Sequence, residues 1–261
     1  MEDIDPPREQ PGAREAIYLA LDRHGLYSDA AILEQSQQLK DYADAITSLA
    51  AAVYPCRCSR HRIRELTGVY DGYCRRQPPA PGEKTALRLS VDQLTPEQLV
   101  CAENYQDIFQ GWQRQSLVQS VGDFILRRKD NLFAYQLAVV VDDIRQAITH
   151  VIRGYDLLSS TPRQRYLFLM LGSQPPEFGH VPVATNDHGQ KLSKQHHARP
   201  LDLNRPLQNL YDVLTFLNFS IPAEVFDSDY DVQQLLNWAV DHWSRSRLAG
   251  RQQQVAQSKF Y

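Results

Sequence analysis

The chain has no apolar run near the roughly 20 residues that a membrane-spanning helix needs, and no charged-then-apolar leader opens it, so neither a membrane protein nor a secreted one is expected. Cysteine is scarce: four in 261 residues cannot make a disulfide scaffold, and a reducing cytoplasm is the expected setting. Neither sign of charge dominates. The 28 Lys+Arg and 31 Asp+Glu leave a net charge of −3, which excludes a globally basic nucleic-acid coat but not a local basic face. Internal repeats and long low-complexity segments are absent too. What is present, 43% hydrophobic and 23% charged residues, suits an ordinary globule: one large domain, or one domain with an insertion.

The texture changes along the chain. After an acidic, Pro-rich opening (Glu2-Asp3-Ile4-Asp5-Pro6-Pro7), Ala16, Leu19 and Ala20 before His24-Gly25 predict a helix with a glycine stop. Leu39, Tyr42, Ala43, Ile46, Leu49 and Ala50 predict another, from Gln38 to Val53. A Cys-, Arg- and Gly-rich stretch runs from Tyr54 to Pro81. Alternation at Thr85–Ser90 predicts a half-buried strand. Residues 92–115 are polar and unassigned. Asp123–Arg127 and Leu132–Val141 read as strands, the second with an apolar run suited to a central parallel strand, and Ile148–Ile152 as a third. Ser160 or Thr161 can cap a helix with Pro162 in its first turn and a stop at Gly172. Strand, strand and capped helix make α/β grammar. Two apolar stripes, Leu207 to Leu217 and Val232 to Trp243, predict a small helical subdomain, with a basic tail (Arg245, Arg247, Arg251, Lys259) expected to fray.

Cys56-x-Cys58 and Cys74 lie close in sequence, with His61 and Tyr70 between them. Thiolates are soft donors suited to Zn²⁺, which takes four ligands in a tetrahedron. The fourth must be His61, Tyr70, a carboxylate or water, with imidazole the commoner choice; the alternative is three reduced cysteines in a loop. Cys101 stands apart and reads as a small core hydrophobe. Lys191-Leu192-Ser193-Lys194-Gln195 follows a turn at Asn186–Gly189. Two lysines three apart can hold polyphosphate as charge develops on it, or form a solvated loop. The arginines Arg57, Arg60, Arg62, Arg64, Arg75 and Arg76 are the best candidate for a basic face, or are solvated charge around a metal knuckle.

Taken in order, Glu2-Asp3-Ile4-Asp5-Pro6-Pro7-Arg8, Leu132 to Asp143, Val151-Ile152-Arg153-Gly154-Tyr155-Asp156 and Lys191 to Gln195 resemble class I glutamyl-tRNA synthetases, the last run standing for the lysine signature with Leu192 and Gln195 as departures. The opening run, the C-x-C-x₁₁-Y-x₃-C spacing and the short helical end are more similar to the paralogous glutamyl-Q tRNA(Asp) synthetases. The resemblance implies an α/β, Rossmann-type class I catalytic core with an inserted zinc-containing domain and a helical C-terminal subdomain. The divisions would be 1–53 and 132–200 for the two halves of the core, 54–131 for the zinc insertion and 201–261 for the helices.

It also implies activation of L-glutamate by ATP with Mg²⁺, without tRNA, and transfer to the queuosine base in the anticodon of tRNA(Asp), by a cytoplasmic monomer. Glu2, Tyr135 and Arg153 would bind glutamate, the arginine as a bidentate fork for a carboxylate. Lys191 and Lys194 would bind ATP, with Lys194 stabilising the phosphorus centre under attack. Cys56, Cys58, Tyr70 and Cys74 would hold one structural zinc, displacing His61. Each residue taken singly has a plain structural reading: Tyr135 a core filler, Arg153 a partner for Asp142 or Asp156, Glu2 a terminal charge. The family's first strand and HIGH-type element are not found before Glu2, so a shortened reading with poor stability and impaired activity is expected. The alternatives are a non-catalytic tRNA- or zinc-binding remnant and a fragment of a full-length glutamyl-tRNA synthetase.

Overall fold

The structure, a computed structural model, describes residues 1–66, 69–192, 200–223, 225 and 230–255. The first half holds α1 (Ala13–Arg23), α2 (Leu39–Ser48), β1 (Val53–Cys56) and two short helices, α3 (Arg60–Glu65) and α4 (Tyr73–Arg76). Next come β2 (Ala86–Leu89), α5 (Pro96–Glu103), the hairpin β3 (Asn104–Asp107) and β4 (Gly111–Arg114), α6 (Leu117–Ser120) and β5 (Phe124–Arg127). The second half runs α7 (Tyr135–Arg145), β6 (His150–Gly154), a 3₁₀ segment (Tyr155–Ser160), α8 (Thr161–Met170), β7 (Glu177–Val181) and β8 (Val183–Thr185). Helices α9 (Pro206–Phe216) and α10 (Val232–Asp241) and strand β9 (Gln253–Val255) follow.

The expected α/β character is present. β6 and β7 pair in parallel, Arg153 opposite His180, with α8 as the crossover between them. β1, β2 and β5 form an antiparallel sheet in that order, and β8 and β9 a second parallel pair. One apolar core joins these layers: Tyr42 of α2, Leu89 of β2, Leu126 of β5, Leu137, Ala138 and Val140 of α7, and Tyr166 and Leu167 of α8 are all fully buried. Each large side chain so removed from water contributes roughly 1.5–3 kcal/mol. A second cluster, Leu210, Leu214, Phe219, Leu235 and Ala239, forms where the two predicted stripes of α9 and α10 meet. Capping boxes start α5 (Thr95 with Gln98) and α10 (Asp231 with Gln234), each satisfying two otherwise orphaned amides.

Four sequence expectations need correction. Leu132–Val141 is not a strand: α7 begins at Tyr135, after an extended Ala134. A short apolar run does not distinguish a buried strand from a buried helix, and here the helix buries Leu137, Ala138 and Val140 against α2 and α8, overriding the β preference of three consecutive valines. Ser160 occupies the N-cap of α8 but its hydroxyl accepts from Gln136 Nε2 at 2.9 Å and caps nothing; the preceding 3₁₀ turn feeds directly into the helix. Cys101 is exposed on the outer face of α5, whose inner face is used by Ala102. The basic tail does not fray through Val255: Leu248 is fully buried, Arg247 lies over the Phe219 ring and donates to the Asn218 carbonyl, and β9 joins β8. Lys259 lies outside the described residues. The unassigned stretch 92–115 is α5 plus the β3–β4 hairpin.

Candidate active site

Residues 1–5 form a strap that is tied down on both sides. The Met1 carbonyl accepts from the Gln35 amide at 3.0 Å, and Asp3 accepts from the Ser36 amide and hydroxyl and from Arg14 of α1 at 2.7 Å. Asp5 pairs with Arg128 after β5 at 3.2 Å. Glu2 thereby lines three cavities, two of which reach α7. One, of about 400 Å³, is lined by Ile4, Arg60, Phe133 and Tyr135. The other, of about 290 Å³, is lined by Asp142, Asp143 and the loop around Leu33. Burial raises the Glu2 carboxyl above its ordinary value, the chain's terminal ammonium opposing; the Asp142 charge adds to the rise and Arg153 subtracts from it.

Arg153, at the end of β6, is half-buried over the Phe178 ring, 5.1 Å from its centroid. Its Nε donates to His180 Nε2 at 3.0 Å, Nη1 to Gln164 Oε1 at 2.7 Å, and Nη2 to Thr161 Oγ1 at 2.9 Å and the Leu157 carbonyl at 3.4 Å. Tyr135 is a further side-chain hydrogen-bond partner, so the five N–H groups of the guanidinium leave no free two-pronged fork. Arg153 pairs with neither Asp142 nor Asp156. Tyr135, in the first turn of α7, is raised mainly by burial and feels Arg153 and then Glu2. Asp143 is pushed up to about 6, by burial first and then by the neighbouring Asp142 charge, with Arg153 pulling the other way. Asp142 itself is buried and accepts from Tyr42 Oη and Gln35 Nε2, each at 2.8 Å. The fold thus brings Glu2, Tyr135 and Arg153 into one electrostatic neighbourhood, together with Asp143.

The cysteine stretch folds into a second centre. The sulfurs of Cys56, Cys58 and Cys74 lie within 4.8 Å of one another, 3.4 Å between Cys58 and Cys74. The Tyr70 hydroxyl stands 3.6 Å from the Cys56 sulfur and 3.8 Å from that of Cys58, and accepts the Cys74 amide at 2.7 Å. A tetrahedron with Zn–S bonds of about 2.3 Å puts its donors about 3.8 Å apart, so three thiols and one phenol fit such an ion. His61 is exposed and sits beside Glu65 at 3.5 Å, away from the sulfurs. The basic stretch divides in two. Arg62 pairs with Asp71 at 2.7 Å, Arg75 with Asp92 at 2.8 Å and Arg57 with Glu83 at 3.7 Å, while Arg76 donates to the Asp71 carbonyl. Arg60 and Arg64 make no ion pair among the described residues and line a cavity of about 700 Å³ together with Arg163 of α8.

Lys191 is exposed after β8 and donates to Asp156 at 2.5 Å. Lys194 lies outside the described residues. Residues that the sequence reading passed over are Asp143, Gln164, His180 and Asp107. Asp143 ends the Leu132–Asp143 run, where nothing local distinguishes it from a surface carboxylate. His180 sits in an otherwise apolar run, Phe178 to Val181, and a polar residue there signals a buried partner. Asp107 four residues before Gly111 is a turn signal. Nothing in the sequence places either beside Arg153.

Residues 1–205 match the family described as tRNA synthetases class I (E and Q), catalytic domain. A glutamyl-Q tRNA(Asp) synthetase of Pseudomonas aeruginosa is 40% identical over 250 residues, covering 95% of this chain and 82% of that protein. One of Neisseria meningitidis serogroup C is 42% identical over 259 residues, covering 95% and 84%. Among solved structures, the glutamate–tRNA synthetase of Elizabethkingia anophelis aligns over 99% of this chain with a TM-score of 0.72 at 19% identity, and the glutamate tRNA ligase of Elizabethkingia meningosepticum with 0.70 at 18%. At that identity the likeness is one of fold, and this chain spans 60% of the length of each.

Proposed function

Because the chain belongs to the class I tRNA synthetases for glutamate and glutamine, and within them to the glutamyl-Q tRNA(Asp) synthetases, ligases of the aminoacyl-tRNA synthetase class, we propose that it activates L-glutamate with ATP and transfers it to the queuosine base of tRNA(Asp). The observation that carries this reading is the charge arrangement around Glu2, Tyr135 and Arg153. The Arg153 guanidinium shares its electrostatic surroundings with Glu2, Asp142 and Asp143, as a ligand bearing both carboxylate and ammonium requires. Arg153 and the Tyr135 hydroxyl receive a substrate carboxylate. Glu2 and Asp143 receive the ammonium, which offsets the burial and, after it, the Asp142 charge that raise Asp143.

Activation proceeds without tRNA. Lys191 and Lys194 contact the ATP phosphates, Mg²⁺ accompanies ATP, and Lys194 stabilises charge at phosphorus as the glutamate carboxylate attacks. Cys56, Cys58, Tyr70 and Cys74 hold a structural zinc that joins β1 to α4. Arg60, Arg64 and Arg163, which make no ion pair among the described residues and share their cavity with Asp123, face the RNA backbone. The remaining expectations stand as part of this reading: a cytoplasmic monomer with a two-part core (1–53, 132–200), a zinc insertion (54–131) and a helical end (201–261). None of the helices among the described residues is long and apolar enough to cross a membrane.

The test is glutamate-dependent ATP–pyrophosphate exchange without tRNA, followed by transfer of labelled glutamate to tRNA(Asp) with and without queuosine, and to tRNA(Glu). Exchange, with transfer to queuosine-bearing tRNA(Asp) alone, is expected. Charging of tRNA(Glu) would overturn the substrate assignment, and zinc binding without exchange would favour the non-catalytic reading.

A further inference from the structure

Asp107, at the end of β3, is fully buried. Its Oδ1 accepts three backbone amides: Gln110 at 2.9 Å, Phe109 at 3.0 Å and His180 at 3.1 Å. With Oδ1 filled, Oδ2 alone is left for a side chain, and it meets His180 Nδ1 at 2.5 Å. Burial pushes the Asp107 carboxyl up, but the hydrogen bonds from His180 and the backbone amides outweigh it and hold the group below its ordinary range, so it stays an acceptor. His180 Nδ1 must then carry the proton.

The other face of the ring is as constrained. His180 Nε2 stands 3.0 Å from Arg153 Nε, and arginine can only donate. Nε2 must therefore present a lone pair. A fully buried imidazole between an acceptor and a donor is neutral, in the Nδ1–H form. Thr161 Oγ1, Gln164 Oε1 and the Leu157 carbonyl are the other acceptors around the guanidinium, and Thr161 Oγ1 also stands 3.3 Å from His180 Nε2.

We infer that Asp107 and His180 are positioning residues for Arg153: the carboxylate selects the imidazole tautomer, and the tautomer supplies the lone pair that holds the guanidinium in its binding orientation. This rests on the reading of Arg153 as the carboxylate-binding group. Neither residue touches substrate; both act through Arg153.

Asp107→Asn isolates the device with almost no change of shape. The Asn oxygen keeps the three backbone amides, so its NH₂ faces His180 Nδ1. The ring must accept there and move its proton to Nε2, which then confronts Arg153 Nε–H, donor against donor, and can turn only to Thr161 Oγ1 at 3.3 Å in competition with Arg153 Nη2. Glutamate affinity of the full chain, measured by calorimetry, is expected to fall roughly 10–100-fold, the usual cost of losing an orienting partner, while ATP affinity stays within about twofold, since only the Arg153 side of the site is disturbed. Long-range ¹H–¹⁵N NMR of the imidazoles is expected to find His180 in the Nδ1–H form in the wild type and in the Nε2–H form in the variant. An imidazolium or an Nε2–H ring in the wild type would overturn the proposal whether or not the variant folds. A switched tautomer with unchanged glutamate affinity would also overturn it. Arg153→Ala separates the two levels: if it too leaves glutamate binding unchanged, the assignment of Arg153 fails and the relay loses its purpose.

Discussion

A Cβ added to Gly122 would stand 2.5 Å from the carbonyl oxygen of Tyr70 and 3.0 Å from its nitrogen. The two residues form an isolated parallel bridge, and Gly122 has φ +67°. Both the left-handed backbone and the close approach exclude a side chain. Gly122→Ala should therefore push Tyr70 away from the sulfurs. The strained backbone alone costs about 1–2 kcal/mol. A lower melting temperature and less than one zinc per chain, by mass spectrometry under native conditions, are the expected results; full zinc content would show that the bridge does not position Tyr70.

Tyr70→Phe leaves the backbone intact and removes only the hydroxyl. The buried Cys74 amide loses its acceptor, a cost of roughly 1–3 kcal/mol, and the proposed zinc ion would lose its fourth donor. Zinc affinity, read by competition with a chelating dye, should fall, whereas His61→Ala should leave it unchanged. The reverse pattern would restore imidazole as the ligand.

The raised Asp143 carboxyl makes a prediction with a definite sign. Its folded value of about 6 lies above the unfolded carboxylate value of about 4. Its contribution to stability is therefore present below pH 4 and is lost as pH rises through 6. Asp143→Asn, which cannot ionise, should gain stability relative to the wild type between pH 4 and 7. Glutamate, by bringing an ammonium to the carboxylate, should release a proton from the wild type near pH 6. Calorimetry in buffers of different ionisation enthalpy reads that proton, and its absence would remove Asp143 from the ammonium site.

Leu248 is fully buried although it sits in the predicted loose tail. Leu248→Ala should destabilise the protein by about 2–5 kcal/mol, the cost of a large-to-small change in a packed site. Chemical denaturation measures it; a loss under 0.5 kcal/mol would mean the tail does not pack in solution.

Local signals carried much of the fold. The Gly25 and Gly172 stops, a strand within Thr85–Ser90 and the stripes of α9 and α10 were legible because spacing and caps act within a few residues, although that strand is not half-buried: Arg88 and Ser90 are buried as well as Leu89. The family resemblance held across the chain. The errors arose where distant residues decide the outcome. Leu137–Val141 is apolar enough for strand or helix, and α2 and α8 decide it. At the candidate site, Glu2, Tyr135 and Arg153 were named from ordered motifs, but the acceptors that occupy Arg153 come from α8 and β7. A pairing such as Asp107 with His180, 73 residues apart, leaves no periodic trace.

The Gln110 side chain donates both to the His180 carbonyl at 2.8 Å and to the Arg251 carbonyl at 2.7 Å, beside the pairing of β8 with β9. Gln110 and Arg251 are 141 residues apart, nearly twice the separation of Asp107 and His180. Because synthesis runs from the N-terminus at roughly 5–20 residues per second, Asp107 and His180 are both made several seconds before Arg251. The Gln110 amide can therefore reach the His180 carbonyl before the Arg251 carbonyl exists to share it.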